Sequence, residues 1–411
     1  MSDSDLVLQS LIWLLLVLIV YHHLGYPLLL KYFAAHQQPD NDLLPYERGF
    51  KNSTLDNYLP HIHLVVPAFN EETVIRQKID SIAWLDYPKD KLTISILCDG
   101  CSDATVREAV QAHQRFMNNS ENVHIHNFSV NRGKIAMVNM AINSTKQDIL
   151  AFSDASSVLA VDVLWRTARH FMRDRKLGVV TGDYKLLVSG SEGESAYWNY
   201  QNKVRDWESS LGACMGAPGA FYAIRSELCS ELEFDTINDD FILPMRAVSA
   251  GYTAKFDRNI HIYESEPSSL EDDAQRRNRI SQGNLQQLLR LYPLLVPGIG
   301  KHSSAVSWMF FSGKGLRVIM PYLLLVLLFT TAWLAPTHWF YGLLFAGQVS
   351  VYLMTCAAAL GQFENSLLSR IFASRAVKVI SYLCQGHFMG LLGTARYIGN
   401  KFIKSKSQRP W

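Results

Sequence analysis

Apolar positions along this chain follow two rhythms, and the change of rhythm divides it. From Leu6 to Leu30 they are nearly continuous, and long apolar runs return from Leu316 onward. Each run approaches the ~20 residues that cross a bilayer as a helix. Between them, from His61, short apolar runs alternate with amphipathic stretches. HLVVP reads as a strand, Glu72 to Trp84 as a helix, LTISILC as a strand and Ala104 to Phe116 as a helix. VHIHNF then reads as a strand, Lys134 to Asn143 as a helix and ILAFS as another strand. Such alternation predicts a mostly parallel, doubly wound α/β sheet with right-handed crossovers. Function is then expected at the carboxyl ends of the strands.

The same pattern sets the domain plan: a membrane anchor over 1–35, an α/β domain over 58–291, an amphipathic connector over 292–315, and a membrane region with a basic tail over 316–411. The first run is not a secretory signal, which needs a basic start, because the chain opens with Asp3 and Asp5. Lys31, Arg48 and Lys51 follow it, so the positive-inside rule puts the α/β domain in the cytoplasm. His302 to Phe311, with Trp308, is amphipathic enough to lie in the headgroup plane, although a plain buried helix fits the same pattern. Leu316 to Ala335 and Trp339 to Leu360 read as two crossings joined by an uncharged turn at Pro336. Arg370, Arg375 and Lys378 follow as an inner loop. Val379 to Ile398 either spans, leaving Lys401, Lys404, Lys406 and Arg409 outside, or lies along the interface.

Composition narrows the classes. Of 411 residues, 48% are hydrophobic and 18% charged, and the formal net charge of +2 argues against nucleic acid as a partner. Cys98, Cys101, Cys214, Cys229, Cys356 and Cys384 lack the spacing of a disulfide framework or a four-ligand zinc site and read as thiols. Cys98 and Cys101 form one isolated C-x-x-C with no second ligand pair. N-x-S/T strings at Asn52 and Asn118 carry no weight in a cytoplasmic segment.

Chemistry-bearing residues gather where strands end: PAFNEE (Pro67 to Glu72), CDGCSDAT (Cys98 to Thr105), NRGK (Asn131 to Lys134) and SDASS (Ser153 to Ser157). None is a phosphate loop, and no G-x-G-x-x-G occurs in this half, which argues against an ATPase and a dinucleotide oxidoreductase. Instead Glu71, Asp99, Asp103 and Asp154 stand alongside one cation, Lys134. Carboxylates accept hydrogen bonds from a nucleobase or ribose, and one can hold Mg²⁺ or Mn²⁺ against a diphosphate. The plainer reading of Asp154 is a cap or turn former. Asp239 and Asp240, ahead of an apolar helix beginning near Phe241, likewise read as capping residues or as paired acids.

Taken in order, these strings, with GACMGAPGAFYAIR (Gly212 to Arg225), TINDDF and QRRNRISQGNLQQL (Gln275 to Leu288), resemble the family-2 inverting glycosyltransferases. The likeness is to the membrane-embedded branch that includes bacterial cellulose, hyaluronan and poly-N-acetylglucosamine synthases, and it runs from about His61 to Leu291. It implies a GT-A-type, Rossmann-like mixed sheet that binds a nucleotide-diphospho-sugar, a UDP-sugar, with N- and C-terminal transmembrane helices and a fourth span at Val379 to Ile398. By the same likeness Glu71, Asp99 and Asp103 hold the nucleotide sugar with Lys134, and Asp154 is the ligand of Mg²⁺ or Mn²⁺. Ser156 replaces the second acid of a D-x-D. Asp240 is the general base, and Asp239 orients it or raises its pKa. Arg276, Arg277 and Arg279 attend the leaving diphosphate, and Gly216, Gly219 and Ala220 approach the acceptor.

Ile280 stands where many polymerising members have Trp, and Arg276 where they often have Gln. The implied enzyme sits in a bacterial inner membrane, catalytic domain in the cytoplasm, and makes an extracellular polysaccharide or lipid-linked glycan. Export partners or a homo-oligomer would supply a path for a polymer. Two alternatives remain: a single-addition enzyme acting on a lipid acceptor such as polyprenyl phosphate or a glycolipid, and a catalytically silent scaffold of a secretion complex. A transporter is disfavoured, because the expected spans carry few ionisable groups beyond His22, His23 and His387.

Overall fold

The computed structural model describes residues 3–37, 49–51, 53–118, 120–187, 192–264, 270–360 and 375–402. By its contacts the chain divides into two units, one built mainly from Leu30–Asp272 and Leu289–Phe310, the other from Met1–Leu29, Asp273–Leu288 and Phe311–Ser405. Helix α1 (Asp3–Val20) opens the second unit; after a π-helical turn, Tyr21–Gly25, comes α2 (Tyr26–Ala35).

The first unit is built on an eight-stranded sheet. Its strands are β1 (Ile62–Ala68), β2 (Leu92–Asp99), β3 (Val123–Phe128), β4 (Ile149–Phe152), β5 (Ser157–Leu159), β6 (Leu177–Leu186), β7 (Tyr222–Arg225) and β8 (Thr253–Glu264). The order is β3-β2-β1-β4-β7-β6-β8-β5. Helices α3 (Ile75–Ala83), α4 (Thr105–Met117) and α5 (Lys134–Ser144) make the crossovers among β1 to β4, which pair in parallel. All residues of β1 and of β4 are buried, as expected for strands covered on both faces. Beyond β4 the sheet departs from the mostly parallel expectation. β7 is antiparallel to β4 and to β6, β6 and β8 are parallel, and β5 is antiparallel to β8. The alternation of strand and helix that signals parallel crossovers stops after β4, and β5 follows it within one short turn, so the pattern of the first half does not extend.

Helix α6 (Val163–Arg173) and α7 (Glu192–Ser210) frame β6, and α8 (Asp239–Ser249) precedes β8. The helix expected from Glu72 begins instead at Ile75, because Asn70 takes a left-handed φ of 55° and Glu71–Val74 closes a turn first. Helix α9 (Leu270–Arg290) leads to α10 (Ser304–Phe310), where Val306, Met309 and Phe310 are buried and Phe310 meets the ring of Phe241.

Helices α11 (Leu316–Leu334), α12 (Trp339–Leu360) and α13 (Arg375–Phe402) complete the apolar unit. Ile12, Leu15, Leu327, Leu334 and Tyr341 form its packed centre. Among the described residues three segments are long and apolar enough to cross a membrane: Asp5–Ala35, Ser304–Leu334 and Trp339–Ala357. The expected fourth span falls on α13, which is not among them and carries Arg396 on its surface. Arg48, Asn52, Arg370, Lys404, Lys406 and Arg409 lie outside the described residues.

All six cysteines are free thiols, and Cys98, in β2, is sealed in the core. Burial, reinforced by neighbouring Cys101, pushes the Cys98 thiol up to about 12, so Cys98 offers no ready thiolate.

Gly100 ends β2 at φ +65°, and a β-carbon there would lie 2.2 Å from the backbone nitrogen of Asn131. Gly100→Ala therefore lowers folding stability by about 2 kcal/mol or more, well beyond an ordinary surface change. Chemical denaturation checks this; an unchanged midpoint would show that the Asn131 loop yields freely.

Candidate active site

The loop that carries Lys134 is held from below by Asp99. This carboxylate has no solvent exposure and accepts the backbone N–H groups of Arg132, at 2.9 and 3.0 Å, and Gly133, at 2.7 Å. Hydrogen bonds to a charged acceptor contribute about 1.5–3 kcal/mol each, and here they fix the loop before α5 begins. The Arg132 guanidinium lies 4.2 Å from the centre of the Phe128 ring, a cation–π contact at the loop's edge. Gly133, at φ +91°, makes the turn into α5.

The two neighbouring acidic strings are cross-linked. Asp103 Oδ1 accepts from the backbone N–H of Thr105 at 3.0 Å and Asp103 Oδ2 from that of Glu72 at 3.2 Å. Glu72 Oε2 accepts from the N–H of Ala104 at 2.9 Å. Burial works against the Asp103 charge, but these bonds and the Thr105 hydroxyl outweigh it and hold its pKa below the usual value. Asp103 thus braces the start of α4 from the residue before its cap, Ala104. Glu71 is half-buried beside it, and its backbone N–H donates to Thr105 Oγ1 at 2.7 Å.

Beyond this support lies a cluster of charge. Lys134 Nζ donates to Asp154 Oδ1 at 2.9 Å and lies 3.5 Å from Asp239 Oδ1. Asp239 and Asp240 form the first turn of α8, capped by Asn238, so they are helical residues facing a helix N-terminus. The helix dipole favours carboxylates there. A β-carbon at Gly219 would lie 2.7 Å from Asp154 Oδ2 and 3.3 Å from Asp240 Oδ2, so glycine is what lets both oxygens approach. Burial opposes the charge of Lys134, but Asp154, Asp239 and Asp240 together outweigh it and hold its pKa above the ordinary lysine value. A groove of about 860 Å³ opens beside Arg132 and Lys134, running along α5 to Glu231 and Phe234. That is within the size range of small-ligand sites.

Two further residues support the cluster, and the sequence reading does not single out either. Lys78, on α3, is wholly buried, and its ammonium donates to Ser153 Oγ at 2.5 Å, Ser157 O at 2.8 Å and Ser157 Oγ at 3.1 Å. It braces both ends of the turn that carries Asp154. Burial lowers its pKa from 10.5 to about 7, against the opposing pull of Asp154 and Glu264. Tyr222, on β7, pairs in register with Phe152 at the end of β4 and is completely buried. Its hydroxyl has no hydrogen-bond partner among the described residues. Burial, then the Asp239 and Asp240 carboxylates, keeps the phenol protonated far above its usual range. Lys78 had one visible signal, a lysine on the buried stripe of an amphipathic helix; Tyr222 had none.

The remaining expected residues divide. Ser156 is half-buried in the Asp154 turn. Gly216, at φ +86°, has the Phe241 ring 2.3 Å from where a β-carbon would stand, so it serves close packing. Ala220 is buried, and its carbonyl accepts from Ser153 Oγ at 2.6 Å and Ser157 Oγ at 2.9 Å. Arg279 lies on the part of α9 that belongs to the apolar unit, and the side chains of Arg276 and Arg277 lie outside the described residues.

A divalent cation fits what is present. Three carboxylates face one ammonium, the converging oxygens are hard donors, and the Tyr222 hydroxyl is left without a partner. Among the described residues no group of three or more His, Cys, Asp or Glu side chains is placed to hold a metal ion. Asp154, with Ser156 next to it, would supply the protein's share, as suits Mg²⁺, which keeps waters and phosphate oxygens.

Comparison with known proteins adds the following. A family model described as glycosyltransferase like family 2 matches residues 60–283. The chain is 24% identical over 289 residues to a protein named probable glycosyltransferase YdaM of Bacillus subtilis (strain 168), covering 68% of this chain and 66% of that one. It is 23% identical over 266 residues to the poly-beta-1,6-N-acetyl-D-glucosamine synthase of Staphylococcus epidermidis, covering 63% and 61%. The chain thus spans less than two thirds of the length of these relatives. In fold it is similar to the mannosyltransferase PcManGT of Pyrobaculum calidifontis, solved with GDP-Man and Mn²⁺, at a TM-score of 0.66 and 19% identity, covering 95% of this chain and 99% of that one. The likeness extends beyond the α/β domain to the flanking helices.

Two measurements check the supporting residues. The unfolded chain keeps a proton on Lys78 up to pH 10.5, whereas the folded chain releases it near 7. The Lys78 contribution to stability therefore rises with pH across that window, and Lys78→Met, which cannot titrate, loses the slope. Its melting temperature relative to wild type should be higher at pH 6.5 than at pH 9 (~2.5 pH units apart, bracketing the lower end of the window); a constant difference would show that Lys78 stays charged. Tyr222→Phe removes an unsatisfied buried hydroxyl and leaves stability unchanged or raised by about 1 kcal/mol. A clear loss in denaturant titration would mean that the hydroxyl has a strong partner.

Proposed function

The chain belongs to glycosyltransferase like family 2, and we propose that it is an inverting enzyme that transfers a sugar from a nucleotide-diphospho-sugar at a membrane surface. The observation that carries this reading is the convergence of Asp154, Asp239 and Asp240 on Lys134 around Gly219. A scaffold has no physical need for three carboxylates brought together at one lysine.

In this reading the donor is a UDP-sugar, with Glu71 and the loop held by Asp99 and Asp103 forming the nucleotide side of the site. Asp240 takes the proton of the acceptor hydroxyl as its oxygen attacks the anomeric carbon. The new C–O bond forms as the bond to the diphosphate oxygen breaks, and the single displacement inverts the configuration. Lys134 keeps Asp239 and Asp154 in place, and Asp239 orients Asp240. Mg²⁺ or Mn²⁺, held by Asp154 and Ser156, would screen the diphosphate and its developing charge. Arg276, Arg277 and Arg279 suit the leaving diphosphate, since guanidinium forks bind such oxygens bidentately. Gly219, which lets Asp154 and Asp240 approach each other, borders the acceptor side near α8.

We assign the product to an extracellular polysaccharide or a lipid-linked glycan, made in a bacterial inner membrane with the catalytic unit in the cytoplasm. Lys31 after the first span supports that orientation. Ile280 favours the narrower reading of one sugar added to a lipid, because an aliphatic side chain stands where polymerising relatives carry the acceptor-stacking Trp.

Detergent-purified protein, supplied with a panel of radiolabelled nucleotide sugars, Mg²⁺ or Mn²⁺ and membrane lipid, tests the proposal. One donor should label product, and Asp240→Asn should lower the rate about a hundredfold or more with donor binding retained. High-molecular-weight product establishes a synthase and a single sugar on lipid the narrower reading. An Asp240→Asn protein as active as wild type would end the assignment.

A further inference from the structure

One short strap ties together helices that carry the charge cluster. Residues 230–236 lead into α8, and three side chains from different helices hold them. Asn139, on the buried side of α5, donates its amide N–H to the Leu232 carbonyl and accepts the Leu232 N–H, both at 2.8 Å. Arg246, on α8, donates to the Glu231 carbonyl at 2.9 Å and to Glu233 Oε2 at 2.6 Å. Arg290, at the end of α9, donates to Thr236 Oγ1 at 2.7 Å and to Asp235 Oδ1 at 2.5 Å. Leu232 and Thr236 are buried.

Between these anchors the strap turns Phe234 outward, 77% exposed. A single exposed aromatic on a surface is ordinary. Here, however, the ring lines the groove of about 860 Å³ that opens beside Arg132 and Lys134. Ala136, Met140 and Asn143 line it too, spaced i, i+4 and i+7 as one stripe of α5. The lining runs along α5 from Lys134 to Ser144, which is ~15 Å of helix.

The two ends of the groove differ in chemistry. Lys134 is the ammonium that meets Asp154 and Asp239, so one end is the charge cluster itself. Towards the other end stand Asn143, Glu231 and Phe234. Asn143 Nδ2 donates to Glu231 Oε1, whereas Asn143 Oδ1 and Glu231 Oε2 have no hydrogen bond to any described residue. A flat ring beside open acceptors suits a pyranose, which turns an apolar C–H face to an aromatic and carries hydroxyl donors at its rim. A phosphate is repelled by Glu231, and an acyl chain has no donor for the two oxygens. The groove is longer than one sugar ring.

We propose that the groove between α5 and the strap holds the sugar chain of the acceptor, with Phe234 as the platform on which one ring stacks. The inference rests on the transferase reading for calling that chain the acceptor; glycan binding stands without it. α9 has no aromatic at Ile280, and Phe234 supplies one from a different element. Because the strap is already pinned, the ring is presented with little left to order on binding.

The test uses the full chain in lipid nanodiscs, titrated by calorimetry with mono-, di- and tetrasaccharides of β-linked glucose, N-acetylglucosamine and mannose. In one series the tetrasaccharide should bind about tenfold or more tightly than the monosaccharide, as added rings cover more of the groove. Phe234→Ala should erase that gain and Phe234→Tyr keep it, with an unchanged melting temperature in both because the ring is exposed. Asn143→Ala should reduce the gain. Equal affinity for short and long sugars in every series, or an undiminished gain in Phe234→Ala, overturns the proposal. A length-dependent gain with no sugar transfer from any donor sinks the transferase reading and leaves the glycan groove standing. Transfer with the same acceptor KM in wild type and Phe234→Ala does the reverse.

Discussion

Three carboxylates brought to one ammonium at the carboxyl edge of the sheet set the terms for the structure around them. Like charges this close repel, and the repulsion grows as water is excluded. Each carboxylate is therefore held by something that does not give way. Asp154 sits in a turn tied at both ends to Lys78 and to the Ala220 carbonyl, and Asp239 and Asp240 stand in the first turn of α8, where the dipole favours them. Lys134 starts α5 from a loop whose backbone N–H groups are committed to the buried Asp99. The sheet supplies the common frame, since β4 and its neighbour β7 deliver the Asp154 turn and Tyr222, and β2, across β1, delivers Asp99.

Two lysines share Asp154 as an electrostatic neighbour, and their protonation moves in opposite directions. Lys78 touches only hydroxyls and a carbonyl, so burial dominates and draws its pKa to about 7. Lys134 meets carboxylates directly, so their charge dominates the same burial. Distance to the carboxylate decides the sign. The consequence is a site with one fixed cation in contact with the acids and one conditional cation behind them, and only the fixed one can neutralise charge at every physiological pH.

Much of this was legible in the sequence where one residue type has one physical use. The buried strands β1, β2 and β4 announce themselves as short apolar runs, and the acids that follow them fall at strand ends by necessity. What the acids do there was less legible. Asp99, Asp103 and Glu72 carry the same side-chain chemistry as Asp154 and Asp240, yet they are consumed by backbone N–H groups, mostly of loops distant in sequence. Whether a carboxylate supports or faces the site depends on partners distant in sequence, and periodicity contains no record of them. The second half of the sheet was hidden for a similar reason: β7 has four residues and enters between β4 and β6 by pairings that no local pattern encodes.

Ser156 and Tyr222 bear on one question from opposite sides. Where a second acid would complete a D-x-D, serine removes a charge from a cluster that already holds three carboxylates against one ammonium. A fourth carboxylate would make the cluster harder to hold together whenever no cation is bound. Serine relieves that repulsion and retains an oxygen donor, at the expense of weaker hold on a metal. The Tyr222 hydroxyl, whose ring packs on Phe152 at the end of β4, adds a neutral polar group with no hydrogen-bond partner among the described residues.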